Sequence, residues 1–253
     1  MSADDPHMET SMYKRFLVVA ALVVWVVSAA NHLVPQAMAS GASHLLEAGT
    51  YLSQDYVNVL KMSKSPYRAD TEAKYTYKLV TVRYDQGKCY VTPETFHEGG
   101  LDYFLAPDNS LRPGDPSYPR PAHFKINSAK SFELGFGSEQ SVRYESVGNV
   151  ASYVAALALV GRYTDSAGRV YQFHSDGRAI FPDREFKYEI GVDHVLTPFD
   201  YFYEAGKINA VTPFQRDGDT IRLYSIKKQE NPDFLEIDST KTPVILRMSK
   251  GPK

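Results

Sequence analysis

An all-β fold, an antiparallel barrel or barrel-like sandwich with one short N-terminal helix, follows from three features of this 253-residue sequence. Aromatic residues are abundant, with 18 tyrosines and 13 phenylalanines, and flat rings pack well on a pleated sheet. Glycine-containing turn signals recur at short spacing, which predicts about eight to eleven strands. Several segments alternate apolar and polar residues with period two, and no β-α alternation points to a doubly wound sheet.

Near the start of the chain a basic pair, Lys14-Arg15, is followed by the apolar run Phe16–Ala30. That run is short for a membrane span, which needs about 20 residues, and fits the apolar region of an export signal. The triplet Ala37-Met38-Ala39 offers small side chains for cleavage after Ala39, with a second candidate site after Ala29. Met12 would make a more typical start for such a leader. The expected organisation is a leader over 1–39 and one β-rich domain over 40–253. The expected location is periplasmic or extracellular. The alternative is an uncleaved leader that anchors the chain in the inner membrane through residues 16–34, the only membrane contact expected.

In the rest of the chain, Ser53 suits a helix N-cap, Asp55 adds charge in the first turn, and Tyr56, Val59 and Leu60 fall at helical spacing. Ser65-Pro66 ends that helix. Strands follow over Lys74–Tyr84, Cys89–Thr92 and Leu101–Leu105, the first closed by the turn Asp85-Gln86-Gly87. Leu111–Pro121 holds four prolines and reads as a loop, either an idle excursion or a lid. The apolar run Ser152–Val160 reads as a buried strand running into Tyr163, with a short helix as the alternative. Phe186, Tyr188, Ile190 and Val192 alternate with charged residues, and Ile221–Ile226 and Val244–Met248 complete the strands. An internal echo, Phe-His-x-x-Gly-x-x-x-Phe, starts at Phe96 and again at Phe173 and suggests two similar hairpins, or a duplicated barrel half.

The net charge is −2, and the leader's Asp4, Asp5 and Glu9 nearly balance Lys14 and Arg15. The exported part is close to neutral, without the basic excess that nucleic acid demands. Cys89 is the one cysteine and reads as a small strand residue. No close His or Cys spacing marks a metal site, no Gly-x-Ser-x-Gly turn marks a serine nucleophile, and no cofactor is expected. His97-Glu98 and His174 with Asp176 would form an acid–base set if their two hairpins were neighbours. Tyr77, Tyr163, Tyr171, Phe173, Tyr188 and Tyr201 lie on or beside expected strands, where they form either a packed core or the wall of an apolar cavity.

The segments Gly161-Arg162-Tyr163, Gly168–Phe173 and Asp176-Gly177 resemble a hairpin of lipocalin-like (calycin) barrels, and a second Gly-x-Tyr lies at Gly49-Thr50-Tyr51, near where lipocalins place theirs. Tyrosine replaces the lipocalin tryptophan at both places, and a helix follows Tyr51 where a lipocalin strand would continue. The resemblance implies an up-and-down barrel with an internal pocket. The expected function is non-catalytic binding of a small hydrophobic or amphipathic molecule, with those six aromatics as ligand contacts. Two alternatives stand beside it: a barrel enzyme of isomerase or cyclase type, and a protein–protein interaction module.

Overall fold

The computed structural model describes residues 46–249, apart from 139, 196, 208–209 and 228–234. The expected leader and its cleavage sites lie outside the described residues. Within the described residues the fold is all-antiparallel β with three short helices, and none of these helices is long and apolar enough to cross a membrane.

Sixteen strands form two eight-stranded sheets, more than the eight to eleven expected from turn spacing. The first sheet contains β1 (Gly49–Ser53), β2 (Leu79–Asp85), β3 (Lys88–Glu94), β4 (Tyr103–Leu105), β5 (Leu111–Pro113), β6 (Pro121–Ser128), β7 (Ser131–Phe136) and β8 (Val142–Ser146). Its order is β5-β4-β3-β2-β1-β8-β7-β6, a nearly closed sheet with a seam between β5 and β6. The second sheet runs β9 (Gly161–Thr164), β10 (Val170–Phe173), β11 (Arg178–Phe181), β12 (Arg184–Ile190), β13 (Asp200–Glu204), β14 (Val211–Asp217), β15 (Thr220–Leu223) and β16 (Val244–Met248). It closes fully, because β16 pairs with β9 through Arg247↔Thr164 and Met248↔Tyr163.

The two sheets share a plan, and the repeat that marks it is Gly-x-Tyr. Gly49 and Gly161 each open the first strand of a sheet at φ of +151° and +157°, where a side chain is strained. Tyr51 and Tyr163 are both fully buried. Each hydroxyl donates to the carbonyl four residues earlier, Glu47 and Leu159, at 2.7 Å in both cases. Each first strand lies between the second and the last strand of its own sheet. The Phe-His echo is not the repeat. The Phe173 copy is the β10–β11 hairpin, closed by His174 N donating to Arg178 O at 2.8 Å. The Phe96 copy begins in the connection between β3 and β4 and reaches a strand only at its end, on β4.

Helix α1 (Gln54–Ser63) starts where expected, with the Ser53 hydroxyl accepting from Tyr56 N. It stops at Lys64, which takes a left-handed conformation. Ser65-Pro66 then begins another helix, α2 (Pro66–Glu72), with Ser65 accepting from Arg68 N at 3.1 Å and proline at the first turn. The run expected as a strand before Tyr163 is helix α3 (Val150–Ala158), capped by Asn149 accepting from Ser152 N at 2.8 Å. Alanines 151, 155, 156 and 158 favour helix, and Val154, Ala155 and Ala158 bury one stripe of it.

There are two cores, and β1 serves both. Tyr51 joins Val80, Val91, Tyr103, Phe132 and Tyr144 inside the first sheet. Leu52, one residue on, points the other way and joins Tyr56 and Leu60 of α1, Val154 of α3, and Tyr163, Phe173 and Phe202 of the second barrel. Leu52 is fully buried. Leu52→Ala is expected to lower stability by about 2–5 kcal/mol through lost burial and a residual cavity. Chemical denaturation followed by far-UV and near-UV circular dichroism checks this, and both signals are expected to shift together because one strand feeds both cores.

Candidate functional site

The aromatic side chains expected to contact a ligand divide between the two sheets. Tyr163, Tyr171, Phe173 and Tyr188 come together inside the second barrel. Phe173 sits at the centre, with ring centroids 6.1 Å from Tyr163, 5.7 Å from Phe181, 5.4 Å from Tyr188 and 5.4 Å from Phe202. These are edge-to-face contacts, so those rings fill the space between them. Tyr77 precedes β2 and packs against the core of the first sheet, its ring 5.2 Å from Phe136. Tyr201 lies on β13 between the inward residues Asp200 and Phe202, and its hydroxyl donates to Asp193 O at 2.9 Å.

The phenols are held by the chain itself. Tyr163 donates to Leu159 O, Tyr188 to His174 O at 3.1 Å, and Tyr171 to Asp165 Oδ2 at 3.4 Å. In the first sheet, Tyr103 donates to Pro119 O at 2.9 Å and Tyr144 to Tyr77 O. Burial pushes the phenols of Tyr163 and Tyr188 up, and that of Tyr201 up to about 12, so they act as donors.

The acid–base candidates have separate partners. His97 Nδ1 lies 3.7 Å from Asp193 Oδ1, and Glu98 is exposed in the β3–β4 connection with its N–H donating to Thr95 Oγ1. His174 sits in the β10–β11 turn, where Asp176 Oδ1 accepts from Arg178 N at 3.0 Å. Among the described residues no group of three or more His, Cys, Asp and Glu side chains is placed to hold a metal ion.

A polar corner joins α2 to the second barrel, and sequence reasoning missed it. Asp200 on β13 is 5 % exposed, and its Oδ1 accepts from Tyr67 N at 2.7 Å, across 133 residues of sequence. Burial raises its carboxyl to about 6, against the bonds from Tyr67 and Ser65 and the charge of Arg68. His194 is 6 % exposed, its ring edge-on to Tyr67 and Tyr201 at 5.6 Å each. Burial lowers it to about 4, only partly offset by the Phe199 and Thr197 backbone. Nearby, Lys78 pairs with the half-buried Asp70 at 3.5 Å, and burial raises Asp70 despite Lys78 and His97. The corner ties α2 to β13. Its one sequence signal is an acid set among aromatics, Phe199-Asp200-Tyr201-Phe202.

The proline-rich run has a definite place. Leu111–Pro113 is β5 and Pro121 begins β6, so only 114–120 is loop. Pro113 and Pro121 face the seam with no N–H to donate. The loop is held to the β4 side, with Gly114 N donating to Asp102 O at 2.8 Å and Tyr103 bonding Pro119 O. Among the described residues β6 therefore pairs with β7 alone and has no strand on its other edge.

Among protein-family models, curated proteins and solved structures, none matches this chain.

The polar corner sets a pH dependence with two opposed parts. Asp200 titrates near 6 when folded against an ordinary 3.8, so its contribution to stability grows as pH falls from about 6 to 4. His194 titrates near 4 against 6.5, so its contribution is lost as pH falls across nearly the same window. Each part is on the order of 3 kcal/mol, and in the native chain they largely cancel. Urea denaturation at pH 7 and pH 4 is expected to show Asp200→Asn losing more stability on acidification than the native chain. His194→Phe is expected to show the reverse.

Proposed function

We propose that the chain is a non-catalytic interaction module of the cell envelope, exported through residues 1–39, in which two aromatic-cored β-sheets form a rigid platform for a protein partner. The observation that carries this reading is the packing around Phe173. A ring with four aromatic neighbours at contact distance is a core residue, and an apolar guest would have to displace it. The phenols of Tyr163, Tyr188 and Tyr103 point the same way, because their hydroxyls bind backbone carbonyls.

A second reading is favoured by the barrel plan itself. An eight-stranded antiparallel barrel whose first strand begins Gly-x-Tyr is consistent with a calycin-like fold, and lipocalin-like barrels are carriers of small apolar molecules. In that reading Tyr163, Tyr171, Phe173 and Tyr188 would part to admit a ligand, with Tyr77 and Tyr201 at separate positions.

Native mass spectrometry of the protein purified from its own export route, followed by solvent extraction, separates the two. The expected result is the mass of the bare chain and no thermal shift across a panel of lipids. A lipid or other small molecule recovered at about one per chain would overturn the interaction reading in favour of the carrier.

A further inference from the structure

We propose that the open edge of β6 is a docking site for an extended peptide segment of another protein, which adds beside β6 as an extra antiparallel or parallel strand. This rests on the interaction-module reading and gives that module its surface.

The edge exists because the two strands that should close the first sheet do not match. β6 spans Pro121–Ser128, while β5 spans only Leu111–Pro113. β5 and β6 approach each other, yet no ladder joins them. Their nearest ends carry Pro113 and Pro121, which have no N–H, and the loop between them is fastened to Asp102 and Tyr103 on the far side. β5 is three residues long and β6 eight, so β5 cannot flank the whole of β6. The outward backbone groups of β6 are unpaired by any strand among the described residues, which makes it a template for strand addition.

Side chains on β6 define the guest. Phe124 and Ile126 point toward the first core, where Phe124 lies 5.6 Å from Phe132, but both are only half-buried. Leu105 on β4 and Leu101 just before it, one strand beyond β5, are partly buried in the same cluster. A strand added beside β6 would cover Phe124 and Ile126 with apolar side chains at alternate positions. The opposite face carries His123, Lys125 and Asn127, all exposed. Glu133, which sits directly across from Lys125 on β7, is engaged by Asn127 Nδ2 at 3.2 Å and by His123 Nε2 at 3.3 Å. Lys125 forms no ion pair among the described residues, and its charge acts on Glu133 across the ladder, so a guest carboxylate facing it would share that positive charge. The same lysine argues against a second copy of this chain. Antiparallel self-pairing around the middle of β6 would set Lys125 beside Lys125 of the other copy.

The probe is a fluorescent decapeptide that alternates valine with glutamate and threonine, titrated against the exported protein by anisotropy. Saturable binding is expected. N-methylation of alternate peptide amides is expected to weaken it by at least about tenfold, because the contact is a backbone ladder. Lys125→Glu is expected to weaken it by about tenfold and to be rescued by lysine in place of glutamate in the peptide. That rescue shows the variant is folded. Equal binding of the N-methylated peptide, or no binding up to millimolar concentration, would overturn the edge proposal. So would a dimer in sedimentation at the concentrations of the titration. Failure here with a ligand-free mass spectrum leaves the interaction reading standing, whereas a co-purified lipid removes that reading itself.

Discussion

The structure turns on one strand that belongs to two cores. β1 is five residues long, and its alternation sends Tyr51 into the first sheet and Leu52 toward the second barrel. No separate linker connects the two halves at this point, since the pleat itself is the connection. Helix α1 follows at once and buries Tyr56 and Leu60 on the same side as Leu52. Because a one-residue slip at β1 would invert both sets, register here is more strongly specified than in a strand with one wet face. The Asp200 bond to Tyr67 acts at the other end of the same contact and fixes α2 against β13.

Tyrosine suits the interior of such a sheet for a geometric reason. Eight strands enclose a space that side chains can just fill. A phenylalanine fills the middle, as Phe132 and Phe173 do. A tyrosine of similar volume reaches the rim, where its hydroxyl meets a carbonyl that no strand partner has taken. Tyr51 and Tyr163 do this in the same way, each bonding the residue four positions earlier. Each hydroxyl thereby fastens the segment leading into a first strand. The aromatic richness of the chain is therefore an account of its cores.

Local features were legible in the sequence, and distant ones were not. The Ser53 cap, the turn at Asp85-Gln86-Gly87 and the alternation of β12 all declare themselves within a few residues. So did Gly-x-Tyr, although its significance as the start of two sheets appears only once the strands are paired. The division into two sheets was hidden, because strand order depends on contacts far apart in sequence. Helix α3 was mistaken for a strand since its apolar faces merge over nine residues, and the Asn149 cap was the overlooked sign. Asp200 and His194 gave no motif, because their partner is a helix more than a hundred residues earlier.

The two sheets differ most where each should close. In the second, β16 meets β9, and the closure is reinforced by Met248 N donating to Asp219 O and Ser249 N to Arg162 O, both at 2.7 Å. Closure removes every free edge. In the first, prolines occupy the positions where a closing ladder would begin, and the loop they stiffen is tied away from the gap. Four prolines in eleven residues are a costly way to make a simple turn, which two residues would accomplish. They are an effective way to keep a seam open, because proline cannot be recruited into the ladder by small movements of its neighbours. Pro121 and Lys125 on the exposed edge are residues that resist pairing between identical chains. Among the described residues that edge has no strand beside it, and a surface of this kind is what the proposed guest strand requires.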